Sequence, residues 1–273
     1  MIKIFVDSGS SIKQDEKEQY GVEILPLKIL LGENEYLDGV DLSMDTFYNA
    51  LINENIFPKT SLPSLEYVEE QVMKCVNDGD DVIILTISSG ISGTNNAIKM
   101  LFADQPKVRV IDTETAVGGM KILALEAKKY VNESLDFVEE KLKALIPRIK
   151  VLAVPETLAY LHKGGRLSKV SWAVGTVLRI KPVIELKNTV KVESKCIGLK
   201  MAMKHIVSEL TEKCDKAYPI VPSFTYDAKN LDELISKTPE EFKPAMIEYD
   251  NLDPAIACHW GPNAFGFIFV EKV

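Results

Sequence analysis

The stretch Val82–Ala97, VIILTISSGISGTNNA, places a short apolar run before a loop of small residues and the start of a helix. Val82–Leu85 is typical of a buried strand, and the loop Ser88–Gly93 after it offers hydroxyls and backbone N–H groups. Because the first N–H groups of a helix have no partner within it, such a junction can bind an anion. The loop lacks Lys and a GK[ST] signature, so we predict a site for one carboxylate rather than a nucleotide P-loop. The structural alternative is an ordinary strand-to-helix turn capped by Ser92.

The N-terminal half repeats this order of strand, polar loop and helix. Ile2–Val6 and Val108–Ile111 are further predicted strands. The loops that follow the three strands share Ser, Thr or Asp side chains and are Asp7–Ser11, Ser88–Gly93 and Asp112–Thr115. Strands that alternate with helices predict a mainly parallel sheet covered on both faces, with these loops at one edge.

The pattern changes after Arg148. Val183–Leu186 and Val190–Glu193 flank a turn and predict a hairpin. Further predicted strands include Ala245–Tyr249 and Ile256–Cys258. The fold class is therefore α/β with two domains: residues 1–148 form a mainly parallel three-layer α/β/α domain, and residues 149–273 form an α+β domain with a more antiparallel sheet. An apolar helix predicted from Ser168 to Ile180 is a candidate lid.

Length and composition narrow the class of protein. The chain has 273 residues, of which 46% are hydrophobic, enough for a substantial core. No apolar run approaches the roughly 20 residues that span a bilayer, and the first strand is too short for a secretion signal, so we expect a cytoplasmic protein. Four separated cysteines and three histidines predict neither disulfides nor a metal site, and no cofactor motif is present.

The charge is unevenly distributed along the chain. The net charge is −8, yet residues 148–204 contain 12 Lys or Arg and only 3 Asp or Glu. The overall acidity argues against a nucleic-acid-binding protein. The basic segment favours contact with an acidic protein, or transient contact with an anionic membrane surface. The alternative is that these charges are scattered over a solvated surface.

Several motifs in the same order as in one known family are spread over nearly the whole chain. These motifs are Asp7-Ser8, Pro26-Leu27, Thr60-Ser61-Leu62-Pro63-Ser64, Ile87-Ser88-Ser89-Gly90-Ile91-Ser92-Gly93-Thr94, Gly164-Gly165-Arg166-Leu167-Ser168, Ile180-Lys181-Pro182 and His259-Trp260-Gly261-Pro262. With them, the chain resembles the DegV family, the bacterial fatty-acid-binding proteins that serve a fatty acid kinase. It differs from the usual family pattern at Leu62, Asn95-Asn96, Trp260 and Asn263.

The resemblance implies a long-chain fatty acid held in a tunnel between two domains. Its carboxylate is expected near Thr60, Ser92 and His259, with the N–H of Gly93 as a further donor. Residues expected to line the ligand are Ser61, Leu62, Ile91 and Trp260. The family is not itself catalytic. It presents the acyl carboxylate to a separate ATP-dependent kinase and carries the acyl phosphate onward, and Arg166 matches the residue on the face that docks the kinase.

A buried carboxylate must be hydrogen-bonded, because an unpaired buried charge is very costly. Hydroxyl and N–H donors at this site would contribute about 1.5–3 kcal/mol each, and the acyl chain about 0.8 kcal/mol per buried CH₂. We therefore hypothesise a head-group site without a cation, which leaves the carboxylate reactive toward ATP.

Two other functions remain open at this point. A serine hydrolase would use Ser92 as nucleophile, His259 as base and Asp112 as orienting residue, but the stretch from Gly90 to Thr94 lacks the final glycine of G-x-S-x-G. A membrane-surface protein would use the basic residues Arg166, Lys169 and Arg179.

Overall fold

A computed structural model describes residues 1–167 and 179–273. The chain divides into two compact units: Met1–Pro147 with Asp253–Ala255, and Arg148–Leu252 with Ile256–Val273. Among the described residues, no helix is both long and apolar enough to cross a membrane.

The first unit is built on a parallel sheet. Its four strands are β1 (Ile2–Asp7), β2 (Val22–Leu25), β6 (Asp81–Thr86) and β7 (Val108–Asp112), in the order β2-β1-β6-β7. The register pairs Ile4 with Ile83 and Ile84 with Val110. The predicted parallel sheet is confirmed, and its order brings the polar loops after β1, β6 and β7 to one edge.

Helices cover both faces of this sheet. The helices of the first unit are α1 (Lys17–Tyr20), α2 (Met44–Tyr48), α3 (Leu65–Asn77), α4 (Thr94–Leu101), α5 (Gly118–Lys128) and α6 (Leu135–Leu145). Of these, α1, α3, α4, α5 and α6 contact strands of the parallel sheet. Val82 and Ile84 pack with Val68 and Ile98 of α3 and α4. Alternate residues of a strand point to opposite faces, so Ile83 and Leu85 face the other side, where α5 and α6 contact β6.

A small antiparallel sheet completes the first unit. Its strands are β3 (Lys28–Leu31), β4 (Asn34–Leu37) and β5 (Lys59–Ser61), in the order β4-β3-β5. Pro26 lies between β2 and β3, because proline has no N–H for a sheet hydrogen bond. This break allows the chain to leave the parallel sheet and start the second one.

The second unit contains a mainly antiparallel sheet. Its described strands are β8 (Ile149–Val154), β9 (Ile180–Lys187), β10 (Thr189–Ile197), β11 (Val221–Phe224), β12 (Asp250–Asn251) and β13 (Phe265–Val270), in the order β10-β9-β8-β13-β11-β12. Only β11 and β12 pair in parallel among these strands. The predicted hairpin of β9 and β10 is confirmed, with a bulge between Val192 and Ser194.

Helices pack on this sheet through apolar side chains. The described helices of the unit are α7 (Ala159–Lys163), α8 (Leu199–Lys213), α9 (Lys229–Ser236) and α10 (Pro254–Trp260), the last of which begins with residues of the first unit. Met203 and Ile206 of α8 join Leu231 of α9 and Phe267 of β13 in one core.

Two predicted strands are wrong. Ile256–Cys258 lies within α10, because a short apolar run does not by itself distinguish a strand from a buried helix turn. Residues 245–249 contain only an isolated bridge from Met246 to Ile220, after a 3₁₀ helix ending at Ala245. The helix predicted from Ser168 to Ile180, the candidate lid, lies outside the described residues except for its last two positions. Lys169, one of the basic residues of the membrane-surface alternative, also lies outside them.

Candidate functional site

Three backbone N–H groups of the loop after β6 donate hydrogen bonds to residues at or after the ends of β1 and β7. The N–H of Ile87 donates to Asp7 Oδ2 at 2.7 Å, and the N–H of Ser88 donates to the carbonyl of Thr115 at 2.9 Å. The N–H of Ser89 donates to Asp112 Oδ1 at 3.1 Å. These contacts fix the start of the loop and thereby the position at which α4 begins.

Ser92 and Gly93 occupy the last two positions before α4. Ser92 Oγ lies 2.9 Å from Thr94 Oγ1 and accepts from the N–H of Thr94 at 3.3 Å. The Ser92 side chain therefore also makes the local contact expected of a structural turn. Gly93 is the N-cap and is exposed, and its N–H donates to no acceptor in the described parts of the chain. A hydroxyl and an N–H are thus adjacent at the helix start.

The Thr60–Leu62 segment lies beside the same helix start. Thr60 is half-buried in β5 and pairs with Ile29, whereas Ser61 is exposed. A Cβ added to Gly93 would lie 3.7 Å from Leu62 Cδ2, so the Leu62 side chain is next to the Gly93 backbone. The structure therefore brings Leu62 to Gly93 within the first unit, and Ile91 is half-buried in the loop beside them.

Sequence reasoning did not find the buried polar residues that support this loop. Asn95, on the buried side of α4, donates from Nδ2 to Thr86 Oγ1 at 2.8 Å. Thr113 Oγ1 donates to the carbonyl of Thr86 at 2.7 Å. Asn95 is one of the differences from the usual family pattern, and it satisfies a buried hydroxyl instead of filling the space with an apolar ring.

Asp7 is the most buried carboxylate of this network. Its Oδ1 accepts from the N–H of Gly9 at 2.9 Å, and its Oδ2 accepts from that of Ile87. Burial raises the pKa of Asp7 to about 7, against the lowering effect of the two N–H donors. The Asp-Ser-Gly pattern after the first strand was the available signal, but it predicted only a polar loop.

In the second unit, His259 lies in the last turn of α10 and packs on a glycine. A Cβ added to Gly164 would lie 2.3 Å from His259 Nδ1, so only glycine leaves room for the imidazole in this position. Gly164 is also the C-cap of α7, and its N–H donates to the carbonyl of Tyr160 at 2.9 Å. The position of the histidine therefore explains Gly164, whereas Gly165 has φ +74°, a conformation that favours glycine.

The environment of His259 keeps the ring neutral at pH 7. Burial, as the larger cause, and the nearby positive charge of Arg166 together lower the pKa of His259 to about 3. Arg166 Nη1 donates to the carbonyl of Gly164 at 2.5 Å. Arg166, the predicted docking residue, is therefore an electrostatic neighbour of His259, and the head-group site without a cation stays a prediction.

The segment after His259 is shaped by backbone conformations that favour glycine or asparagine. Trp260 is buried and ends α10. Gly261 has φ +73°, and a Cβ there would lie 2.3 Å from Tyr160 Cδ2. Asn263 has φ 61° and donates from Nδ2 to Glu156 Oε2 at 2.6 Å. Asparagine tolerates the left-handed region better than most residues, which explains its replacement of the usual glycine.

The residues of the hydrolase alternative make other contacts. Asp112 Oδ1 accepts from two backbone N–H groups, those of Ser89 and Glu114, each at 3.1 Å. Ser92 Oγ interacts with Thr94 as described above. These contacts give Asp112 and Ser92 roles in the folding of their own loops, and none of them favours an activated serine.

Comparison with known proteins agrees with the resemblance in sequence. A family profile described as "Uncharacterised protein, DegV family" matches residues 1–272. A DegV domain-containing protein of Clostridium acetobutylicum is 30% identical over 283 residues, covering 99% of both chains.

Solved structures share the fold over the same length. One, described as showing fatty acid binding of a DegV family protein from Thermus thermophilus, has a TM-score of 0.86 and 27% identity and covers 99% of each chain. A stearic acid-binding protein from Eubacterium ventriosum has a TM-score of 0.82 and 25% identity, covering 100% of this chain and 99% of the other. The chain belongs to the DegV family.

Proposed function

We propose that this protein binds a long-chain fatty acid, with the carboxylate hydrogen-bonded by Thr60, Ser92, Gly93 and His259. The observation that carries the proposal is the full-length similarity to DegV proteins described as binding fatty acids. The order of strand β6, small-residue loop and start of α4 in this chain supports it. The exposed N–H of Gly93 beside the Ser92 hydroxyl is suited to a single carboxylate.

A neutral imidazole suits the same ligand. Since the pKa of His259 is about 3 in the ligand-free protein, the ring has one N–H that can donate to a carboxylate at pH 7. Each such bond contributes about 1.5–3 kcal/mol. An acyl chain enclosed beside Ser61, Leu62, Ile91 and Trp260 would add about 0.8 kcal/mol per CH₂.

We further propose that the bound fatty acid is phosphorylated by a separate ATP-dependent kinase. A carboxylate oxygen attacks the γ-phosphorus of ATP, the bond to the bridging oxygen breaks, and ADP leaves the kinase. The acyl phosphate remains with this chain, which contributes no catalytic group. Arg166 is the proposed docking residue, and its proximity to His259 gives the kinase contact an electrostatic link to the head-group site.

Titration with stearate and oleate tests the binding proposal. Ser92→Ala and His259→Ala are each expected to weaken binding by about 1–3 kcal/mol. Ser89→Ala is the matched control, because Ser89 lies in the same loop but contributes only its backbone N–H to the contacts described here. Unchanged affinity in both site variants would place the carboxylate elsewhere.

A kinase assay tests the second step. With saturating fatty acid, ATP and a fatty acid kinase that uses DegV proteins, hydroxylamine trapping should detect acyl phosphate. Arg166→Ala should lower the rate, while Lys163→Ala, which removes an exposed charge at the end of α7, should not. Equal rates for the wild type and Arg166→Ala would remove Arg166 from the docking surface.

A further inference from the structure

Three side chains with metal-binding atoms meet between β10 and α8 in the second unit. Glu193 lies on β10, and His205 and Glu209 lie one helical turn apart on α8. One ligand atom from each residue lies within 4.8 Å of those of the other two, and His205 Nε2 is 2.6 Å from Glu193 Oε2. All three are half-buried, so they are partly ordered by packing and remain accessible to an ion from solvent.

The backbone of β10 directs Glu193 toward the helix. The register of β10 against β9 shifts between Val192 and Ser194, which leaves Glu193 as the extra residue of a β-bulge. A bulge re-aims the side chain of the extra residue. The spacing of four residues between His205 and Glu209 places both on one face of α8.

Two lysines orient the carboxylate of Glu209. Lys150 Nζ and Lys213 Nζ lie 2.7 Å and 2.8 Å from Glu209 Oε2. Such a second layer of contacts to a ligating carboxylate is usual at metal sites.

The surrounding charge is negative. Lys150 also lies 3.6 Å from Glu185 and 3.5 Å from Glu271. The described ion pairs of this cluster contain two lysine ammonium groups and four carboxylates. The lysines are Lys150 and Lys213, and the carboxylates are those of Glu185, Glu193, Glu209 and Glu271. With a neutral His205, these groups carry a net charge of two negative units. A divalent cation would balance the two remaining negative charges.

We propose that Glu193, His205 and Glu209 bind a divalent transition-metal ion such as Zn²⁺ and thereby connect the edge strand β10 to α8. One imidazole nitrogen and two carboxylate oxygens favour Zn²⁺ or Co²⁺ over Mg²⁺, which prefers oxygen ligands alone. Contact distances of about 2.0–2.2 Å require side-chain rotations that move His205 Nε2 and Glu193 Oε2 apart, and water completes the coordination. The metal replaces the hydrogen bond between His205 and Glu193.

The test uses the full chain after treatment with a chelator. Titration with ZnCl₂ by calorimetry should give one ion per chain, Co²⁺ should produce a visible absorption band, and Zn²⁺ should raise Tm. His205→Gln and Glu193→Gln should each weaken binding at least about tenfold. His162→Gln is the matched control, because it removes a histidine from α7 and should leave binding unchanged.

Any of three results would overturn the proposal. The first is no binding of Zn²⁺ or Co²⁺ by the folded wild type, and the second is equal binding by the wild type, His205→Gln and Glu193→Gln. The third is displacement of most of the bound Co²⁺ by an equal concentration of Mg²⁺, because Mg²⁺ would then be the preferred ion. Glu193 lies on the strand rather than the helix, so the two variants keep the test informative if one of them fails to fold.

Discussion

Asp7 accepts a hydrogen bond from the backbone N–H of Ile87 at 2.7 Å and so connects the end of β1 to the first residue after β6. The same carboxylate accepts from the N–H of Gly9, and its side chain is fully buried. The loop that carries Ser92 therefore begins at a fixed point of the parallel sheet.

Asp7→Asn should destabilise the protein and loosen this loop. An amide offers one acceptor oxygen, so its NH₂ group would face one of the two backbone N–H donors. We expect the free energy of unfolding to fall by about 1–3 kcal/mol and hydrogen exchange to become faster at Ile87. Urea unfolding and exchange measurements check this. Asp104→Asn, at an exposed position, is the control and should change neither.

The contribution of Asp7 to stability should depend on pH. Its pKa is raised to about 7 in the folded protein from an ordinary value of 3.8, so between these values the folded state binds more protons than the unfolded state. This contribution is complete below pH 3.8 and is lost as the pH rises through 7, at up to about 1.4 kcal/mol per pH unit. The stability difference between wild type and Asp7→Asn should therefore shrink from pH 4 to pH 8. A constant difference would show that Asp7 is ionised throughout this range.

Gly164→Ala should displace His259. The added methyl group would lie 2.3 Å from Nδ1, and the imidazole must move. Fatty acid affinity should fall by about as much as in His259→Ala. The double variant Gly164→Ala/His259→Ala should bind fatty acid as well as His259→Ala alone, because the added methyl group then has no imidazole to displace. Additive losses in this double-mutant cycle would mean that Gly164 acts independently of the histidine.

His259 should stay neutral through mildly acidic pH in the ligand-free protein. Burial and Arg166 lower its pKa to about 3, so its ring resonances should not titrate between pH 5 and 8 in an NMR experiment. Since the unfolded chain gains this proton below about 6.5, His259 reduces stability as the pH falls from 6.5 toward 3. Titration near pH 6.5 would contradict the buried position. Arg166→Ala should raise the pKa but leave most of the shift, because burial is the larger cause.

The sequence predicted those features that depend on neighbouring residues. The strand-loop-helix order predicted the parallel sheet, and the turn between Val183–Leu186 and Val190–Glu193 predicted the hairpin of β9 and β10. Each of these depends on local propensity or on the periodicity of apolar residues.

The features that sequence reasoning missed join residues far apart in the chain. The bond from Ile87 to Asp7 and the packing of His259 on Gly164 need the folded arrangement before they can be recognised. Helix α10 was missed because its apolar residues, between Pro254 and Pro262, are too few to show a helical period. The charge of Arg166 was interpreted as a surface feature, although its effect on His259 comes from the turn after α7.

Mass spectrometry of the purified protein, before and after denaturing extraction, tests the central proposal most directly. We expect about one long-chain fatty acid per chain in the native protein, released on denaturation, with lower occupancy in Ser92→Ala and full occupancy in Ser89→Ala. If no lipid is released from the native protein, and added stearate and oleate do not raise its Tm, the chain does not bind fatty acids in the way proposed.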